Sequence, residues 1–238
     1  MYKSCPDSSP LFHGRHFDRL IIILCVRWYI TYKLSYRDLV EMMAERGINL
    51  AHTTILRWVQ CYVPEFEKRW RRHARPVGTS WRVDETYIKV KGRWTYLYRA
   101  VDKQGLTVDF LLSEHRDVAT AKQFFTQAIQ KHSAPERITV DGYPATHTAI
   151  NELKAEEVLP QNTKVRTSKY LNNLIEQDHR RVKQRIDPML GLKSFRNAAI
   201  TISGIELIHK IRKGQFDASK ISHCGVGVAQ LWEAMLST

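Results

Sequence analysis

The chain has 238 residues, of which 43% are hydrophobic and 10% aromatic; that composition supports a packed core and excludes a disordered polar tail. A formal net charge of +13 points to a polyanionic partner, nucleic acid ahead of an anionic membrane surface. The longest apolar run, residues 20–26, is bounded by Arg19 and Arg27. It falls short of the roughly 20 residues of a membrane span, and no small-residue cleavage site follows it.

Residues 1–13, with Ser4, Pro6, Ser8, Ser9 and Pro10, read as a loose start. From Phe17 the spacing of Phe17, Leu20, Ile21, Leu24 and Trp28 predicts a helix with those residues on its apolar face. A second helix follows Ser35, which with Asp38 resembles a capping box. Leu39, Met42 and Met43 give it an apolar side, and Gly47 ends it. A third helix carries Ile55, Trp58, Val59 and Tyr62 at i, i+3, i+4 and i+7, leaving Thr54, Arg57 and Gln60 outward. Two short helices around a glycine-containing turn fit a helix-turn-helix, and these three outward side chains are of types that read base edges. A small three-helix bundle with no DNA role has the same periodicity.

Residues 67–80 are basic and end in Pro76 and Gly78, a candidate linker. The pattern then changes to strands at 81–90, 94–102 and 106–114, joined by short turns as an antiparallel meander. A helix over 117–132, a strand over 137–142, a helix over 144–156, a brief strand at 164–167 and a helix over 170–186 complete a βββαβαβα order. The expected fold class is α/β, a mixed five-stranded sheet with helices preceded by an all-α domain. Expected boundaries are 1–74, 75–215 and a tail at 216–238 with no assigned role.

Asp84 sits inside a strand of β-branched and aromatic residues, where Asp is depleted. Asp141 ends the fourth strand, and Glu176 lies on the last helix. The element order sets the first and fourth strands side by side with that helix across their ends, so the three acids can converge. Converging carboxylates need a cation, and hard oxygen ligands favour Mg²⁺ or Mn²⁺. Two such ions about 4 Å apart suit phosphodiester chemistry. Glu176, His179, Arg180 and Lys183 fall on one helical face, one acid among bases, which suits a phosphate backbone passing the site; an ordinary solvated face has the same pattern.

"VDETYIKVKGRWTYLYRAVD", "TVDGYPA" and "NNLIEQDHRRVKQR" together resemble the DDE transposases of bacterial insertion sequences, in particular the IS-six group. Residues 191–215 are similar to that group's carboxy-terminal stretch and residues 14–22 and 34–59 to its amino-terminal part. The 34 residues between Asp141 and Glu176 are also that group's spacing. The resemblance implies an RNase H-like core with Asp84, Asp141 and Glu176 as the metal-binding triad and Lys183 as a basic partner. It implies the element's terminal inverted repeats and a target DNA as substrates, cleavage that frees a 3′-hydroxyl followed by strand transfer, and replicative, cointegrate-forming movement. A homodimer or higher assembly is implied too. Gly142 departs from the group, many of whose members place Lys after the second Asp. Two other readings share part of the pattern: a helix-turn-helix regulator with an inactive core, and an RNase H-like nuclease or resolvase that does not join strands. The four cysteines, Cys5, Cys25, Cys61 and Cys224, are scattered without a Cys-x-x-Cys pair, which gives neither zinc knuckle nor disulfide framework. A cytoplasmic, nucleoid-associated protein without a membrane partner is expected.

Overall fold

The computed structural model describes residues 10–168, 173–189, 192–217 and 232. Residues 1–9, the start of the last expected helix at 170–172 and most of the expected tail lie outside the described residues. The elements are α1 (Arg19–Thr31), α2 (Tyr36–Ala44), α3 (His52–Arg71), β1 (Ser80–Val90), β2 (Arg93–Asp102), β3 (Thr107–Ser113), α4 (Val118–His132), β4 (Arg137–Val140), α5 (Pro144–Ala155), β5 (Lys164–Thr167), α6 (Asn173–Ile186) and α7 (Phe195–Arg212). Two compact units form, one of residues 1–75 and 200–238, the other of 76–199. No helix among the described residues is long and apolar enough to cross a membrane.

In the first unit, local chemistry fixes the helix starts. The Asp18 carboxylate accepts from Leu20 N at 2.7 Å. Ser35 Oγ accepts from Asp38 N at 3.2 Å while Asp38 Oδ2 accepts from Ser35 N at 2.7 Å, the capping box seen in the sequence. Gly47 turns the chain with φ +72°, a left-handed conformation that favours glycine. Burial of α3 follows its periodicity, with Ile55, Trp58, Val59 and Tyr62 inside.

Helix α1 departs from expectation. Its buried residues are Ile22, Ile23, Cys25, Val26, Tyr29 and Ile30, whereas Leu20, Ile21, Leu24 and Trp28 are only half-buried. Residues 20–26 are apolar without a break, so periodicity could not choose a face; packing chose it. A Cβ built on Gly204 of α7 would lie 2.8 Å from Ile30 Cγ2 and 3.1 Å from Val63 Cγ1. The absence of a side chain there lets α7 approach both α1 and α3.

The expected linker is also partly structured. Residues 67–71 finish α3. Ala74 then forms a bridge with Phe216, Arg75 N donates to the Gln215 carbonyl at 2.8 Å, and Asp217 N donates to the His73 carbonyl at 2.8 Å. Trp70 packs on Phe216 and Trp232, with ring centroids 4.9 and 5.8 Å away. The contacts thus group residues after 200 with the amino-terminal helices, a division different from the expected one at 215.

In the second unit the strands run in the order β3-β2-β1-β4-β5. β1, β2 and β3 are antiparallel neighbours, β4 is parallel to β1 and β5 to β4. This is the mixed five-stranded sheet expected of an RNase H-like core. Strand alternation divides β1 between two faces. Trp81 and Val83 join Ala100, Phe124, Phe125, Ile150 and Leu153 in the core shared with α4 and α5. On the opposite face, Thr86, Ile88, Val90 and Leu97 are buried, and α6 lies against this side, its Asp178 accepting from Arg99 of β2 at 2.8 Å.

The β2–β3 turn is organised by Asp102, 1% exposed. Its carboxylate accepts from Gly78 N, Gln104 N and Leu106 N, each at 2.9 Å, so the buried charge has its hydrogen bonds.

Candidate active site

The site grows out of the end of β4. That strand pairs with β1 from Ser80↔Arg137 to Arg82↔Thr139. Continuing the register sets Val83 beside Val140 and Asp84 beside Asp141, the first residue past the strand. Asp141 is held there by local bonds. Its Oδ1 accepts from Tyr143 N at 3.0 Å, and His147 Nε2 lies 3.0 Å from its carbonyl oxygen. Asp84, Glu85 and Asp141 each offer a carboxylate oxygen, and the three oxygens lie within 4.8 Å of one another.

Asp84 and Glu85 leave β1 toward opposite faces, yet both reach this point because β4 stops and opens the sheet beside them. Asp84 faces α6, where His179 Nε2 is 3.4 Å from its Oδ2. Glu85 faces the α4 side, its side chain only 3% exposed and paired with Arg116 at 2.7 Å. Burial pushes the Glu85 carboxyl above its ordinary range; Arg116 opposes this, and the nearby Asp141 and Asp84 charges add to it.

Arg116 is itself clamped. Its guanidinium lies 3.6 Å from the Tyr143 ring centroid, its Nη1 donates to Tyr87 Oη at 3.1 Å, and Tyr143 Oη donates to the Arg116 carbonyl at 3.1 Å. Tyr143 therefore serves both acids, through its backbone N–H to Asp141 and its ring and hydroxyl to Arg116.

Of the sequence-predicted triad, Asp84 and Asp141 come together. Glu176 is exposed in the first described turn of α6 and lies outside the group of three close carboxylates. Its helix nonetheless reaches the site, since His179, three residues on, meets Asp84. Arg180 and Lys183 are exposed on α6. His179, expected on the same solvent-facing side, is instead 6% exposed; the Asp84 carboxylate gives it a partner inside. Gly142 is open, with nothing within 4 Å of a Cβ built there.

On α3, Arg57 is exposed but Thr54 and Gln60 are half-buried. Thr54 and Arg57 border a cleft of about 320 Å³ together with Arg15, Phe17, Trp58 and Cys61, so the expected outward face is partly covered by the segment before α1.

The sequence reading missed Glu85 and Arg116. Glu85 carried a signal, adjacency to Asp84, although strand alternation sends the two side chains toward opposite faces. Arg116 carried none, because its role depends on a pairing across 31 residues.

A family model described as a DDE domain matches residues 78–215. The chain is 40% identical over 203 residues to the transposase for insertion sequence-like element IS431mec of Staphylococcus aureus, covering 85% of this chain and 88% of that one. The same figures hold for the transposase of insertion sequence element IS257 in transposon Tn4003 of Staphylococcus aureus. Among solved structures, the integrase catalytic core domain of HTLV-2 in complex with magnesium is similar over 55% of this chain and 86% of that one, at 19% identity and a TM-score of 0.43. With the match to the DDE domain over more than half its length and relatives at this identity over most of it, the chain belongs to the IS-six family of DDE transposases, enzymes of the polynucleotidyl transferase class.

Proposed function

We propose that this transposase binds the terminal inverted repeats of its own insertion element, cleaves at their ends to free a 3′-hydroxyl, and joins that hydroxyl to a target phosphodiester, moving replicatively through a cointegrate. The observation that carries the reading is the juxtaposition of Asp84 and Asp141 at the end of β4, with α6 brought against Asp84.

The donor set suits hard divalent cations. Arg116 already compensates Glu85 at 2.7 Å, which leaves Asp84 and Asp141 as the carboxylates open to a metal, and oxygen-only ligands favour Mg²⁺ or Mn²⁺. We assign Asp84, Asp141 and Glu176 as ligands for two such ions, with Glu85 beside them as a fourth acid. Bound ions would supply activation of the attacking oxygen and stabilisation of the leaving one. The chain's own residues supply the rest. Arg116 and Tyr143 hold Glu85 and the Asp141 loop, which keeps the acids in place before a substrate arrives. Arg180 and Lys183, exposed on the helix that carries Glu176, are placed to hold phosphates of the passing strand. Thr54, Arg57 and Gln60 of α3 are the proposed readers of the repeat, Arg57 foremost because it is the most open of the three. Pairing two element ends calls for a dimer or larger assembly.

The test is a strand-transfer assay. Full-length protein, Mg²⁺, a labelled duplex of the element's end and a supercoiled target plasmid should give joined product, and Asp84→Asn should give none while retaining the duplex. Cleaved but never joined ends from the wild type would favour the nuclease reading. Duplex binding with neither step would favour the regulator.

A further inference from the structure

Outward from Glu85, the α4-side face of the β1–β2 hairpin changes from core to open surface. Glu85 stands opposite Tyr98, Tyr87 opposite Tyr96, and Lys89 opposite Trp94. Tyr98 is buried, but Tyr87 is 43% and Trp94 61% exposed. The three outer rings adjoin: Tyr87 is 5.4 Å from Tyr96 and 6.4 Å from Trp94 between centroids. Lys89 Nζ sits 5.6 Å from the Trp94 ring centroid. The hairpin ends in the turn of Lys91 and Gly92, both with positive φ, and Lys91 and Arg93 are exposed. The other face of the same hairpin is covered, with Ile88, Val90 and Thr95 buried and Lys91 N donating to the Leu192 carbonyl. So the open aromatic face lies on a strand pair fixed from behind.

We propose that Tyr87, Tyr96 and Trp94 form a platform on which unpaired bases of the reacting DNA strand stack, with Lys89 and, from the turn, Lys91 holding its phosphates. The proposal rests on the transposase reading above and adds the form of DNA that the site takes. Ring faces stack with base faces, which an intact duplex keeps inside its own stack, so the surface suits a frayed or single-stranded segment. Cations interleaved with aromatic rings are the composition such segments require. A second copy of the chain docking here about a two-fold axis would bring the cations Lys89 and Lys91 against those of its partner, a like-charge meeting that costs affinity. The position relative to the carboxylates supports the same reading. Arg116 bonds both Glu85 and Tyr87 Oη, and Glu85 to Lys89 along a strand is about 13 Å, so bases on the platform would lead directly to the acids.

The test uses full-length protein and two probes, a short duplex and the same duplex with an unpaired 3′ extension carrying 2-aminopurine. Wild type should bind the extended probe more tightly and quench its fluorescence, as stacking does. Trp94→Ala should remove the quenching and weaken the extended probe by about tenfold, leaving the paired duplex unchanged; Trp94→Phe should retain most of both effects. Quenching and preference undiminished in Trp94→Ala, or equal losses on both probes, would overturn the platform. A change in oligomeric mass without a change in probe preference would assign the surface to protein contacts instead. If wild type binds neither probe, it is the DNA reading of the whole chain that fails, and the platform with it.

Discussion

Arg99 of β2 is fully buried and donates to the carboxylate of Asp178 on α6 at 2.8 Å. This pair ties the helix bearing Glu176, Arg180 and Lys183 to the sheet bearing Asp84. Removing one member of a buried pair strands the other charge, at about 3–5 kcal/mol. Asp178→Ala should therefore lower stability by that amount in urea unfolding and reduce cleavage with it. The double change Arg99→Met/Asp178→Leu should recover much of the stability. A single variant as stable as wild type would show that the pair does not anchor the helix.

Glu85 and Glu176 compete for the place of third acid, and substitution separates them. Asp84→Asn, Asp141→Asn and Glu176→Gln should each abolish Mg²⁺-dependent cleavage while end binding persists, since the amide keeps the shape but loses the anionic ligand. Glu85→Gln should leave measurable cleavage. Wild-type rates in Glu176→Gln with none in Glu85→Gln would reverse the assignment in favour of the three carboxylates that lie within 4.8 Å.

Much of this arrangement was legible in the sequence. The strand-to-helix change of period, the turns at Gly92 and Gly105 and the capping box at Ser35 are local signals, and the order of elements placed β1 beside β4. Asp84 and Asp141 could be paired on that basis. What was not legible depended on packing at a distance. The unbroken apolar run of α1 concealed which face turns inward, and His179 looked solvated until Asp84 was seen behind it. Gly204 gave no hint of the close helix approach it permits, and the residues after 214 showed no pattern to suggest that they pair with 73–75.

The Glu85 carboxyl also has a pH signature. Its value in the folded chain is raised above the ordinary 4.5, by burial first. An acid with a raised folded value contributes stability that is complete below its unfolded value and is lost as pH rises through the folded one. Metal-free wild type should therefore lose thermal stability relative to Glu85→Gln as pH rises from about 4 toward 7. Denaturation midpoints of the two proteins, measured in EDTA across that range, check the sign; parallel curves would remove Glu85 as the source.

At Gly204 two effects oppose. Alanine improves helix propensity by about 1 kcal/mol, but its methyl would meet Ile30 at 2.8 Å and Val63 at 3.1 Å. Both neighbours are β-branched and at most 1% exposed, so neither can move aside cheaply, and overpacking costs about 1–3 kcal/mol. Gly204→Ala should be destabilising on balance, read as a lower urea midpoint with an unchanged slope.

Recognition and folding can be separated on α3. Arg57→Ala in the full chain should cost about 1–3 kcal/mol on the cognate end and much less on scrambled DNA, with unchanged circular dichroism. Trp58→Ala removes a side chain 8% exposed that meets the Phe17 ring at 5.4 Å, and should lower stability by several kcal/mol. Equal losses on both DNAs for Arg57→Ala would make it a phosphate contact.

The amino-terminal unit is discontinuous, closed by residues beyond 200 that join the helices of 1–75. During translation, α1 to α3 therefore emerge well before their last packing partner. Roughly 125 residues separate the two parts, about 6–25 s of synthesis at roughly 5–20 residues per second. Throughout that interval Ile30 and Val63 lack α7, and Trp70 lacks Phe216 and Trp232. A polypeptide released early, even with all its strands made, would carry an unfinished amino-terminal unit. The fold thus makes the amino-terminal unit the last part of the nascent chain to be completed, after the sheet that holds the acids has been synthesised.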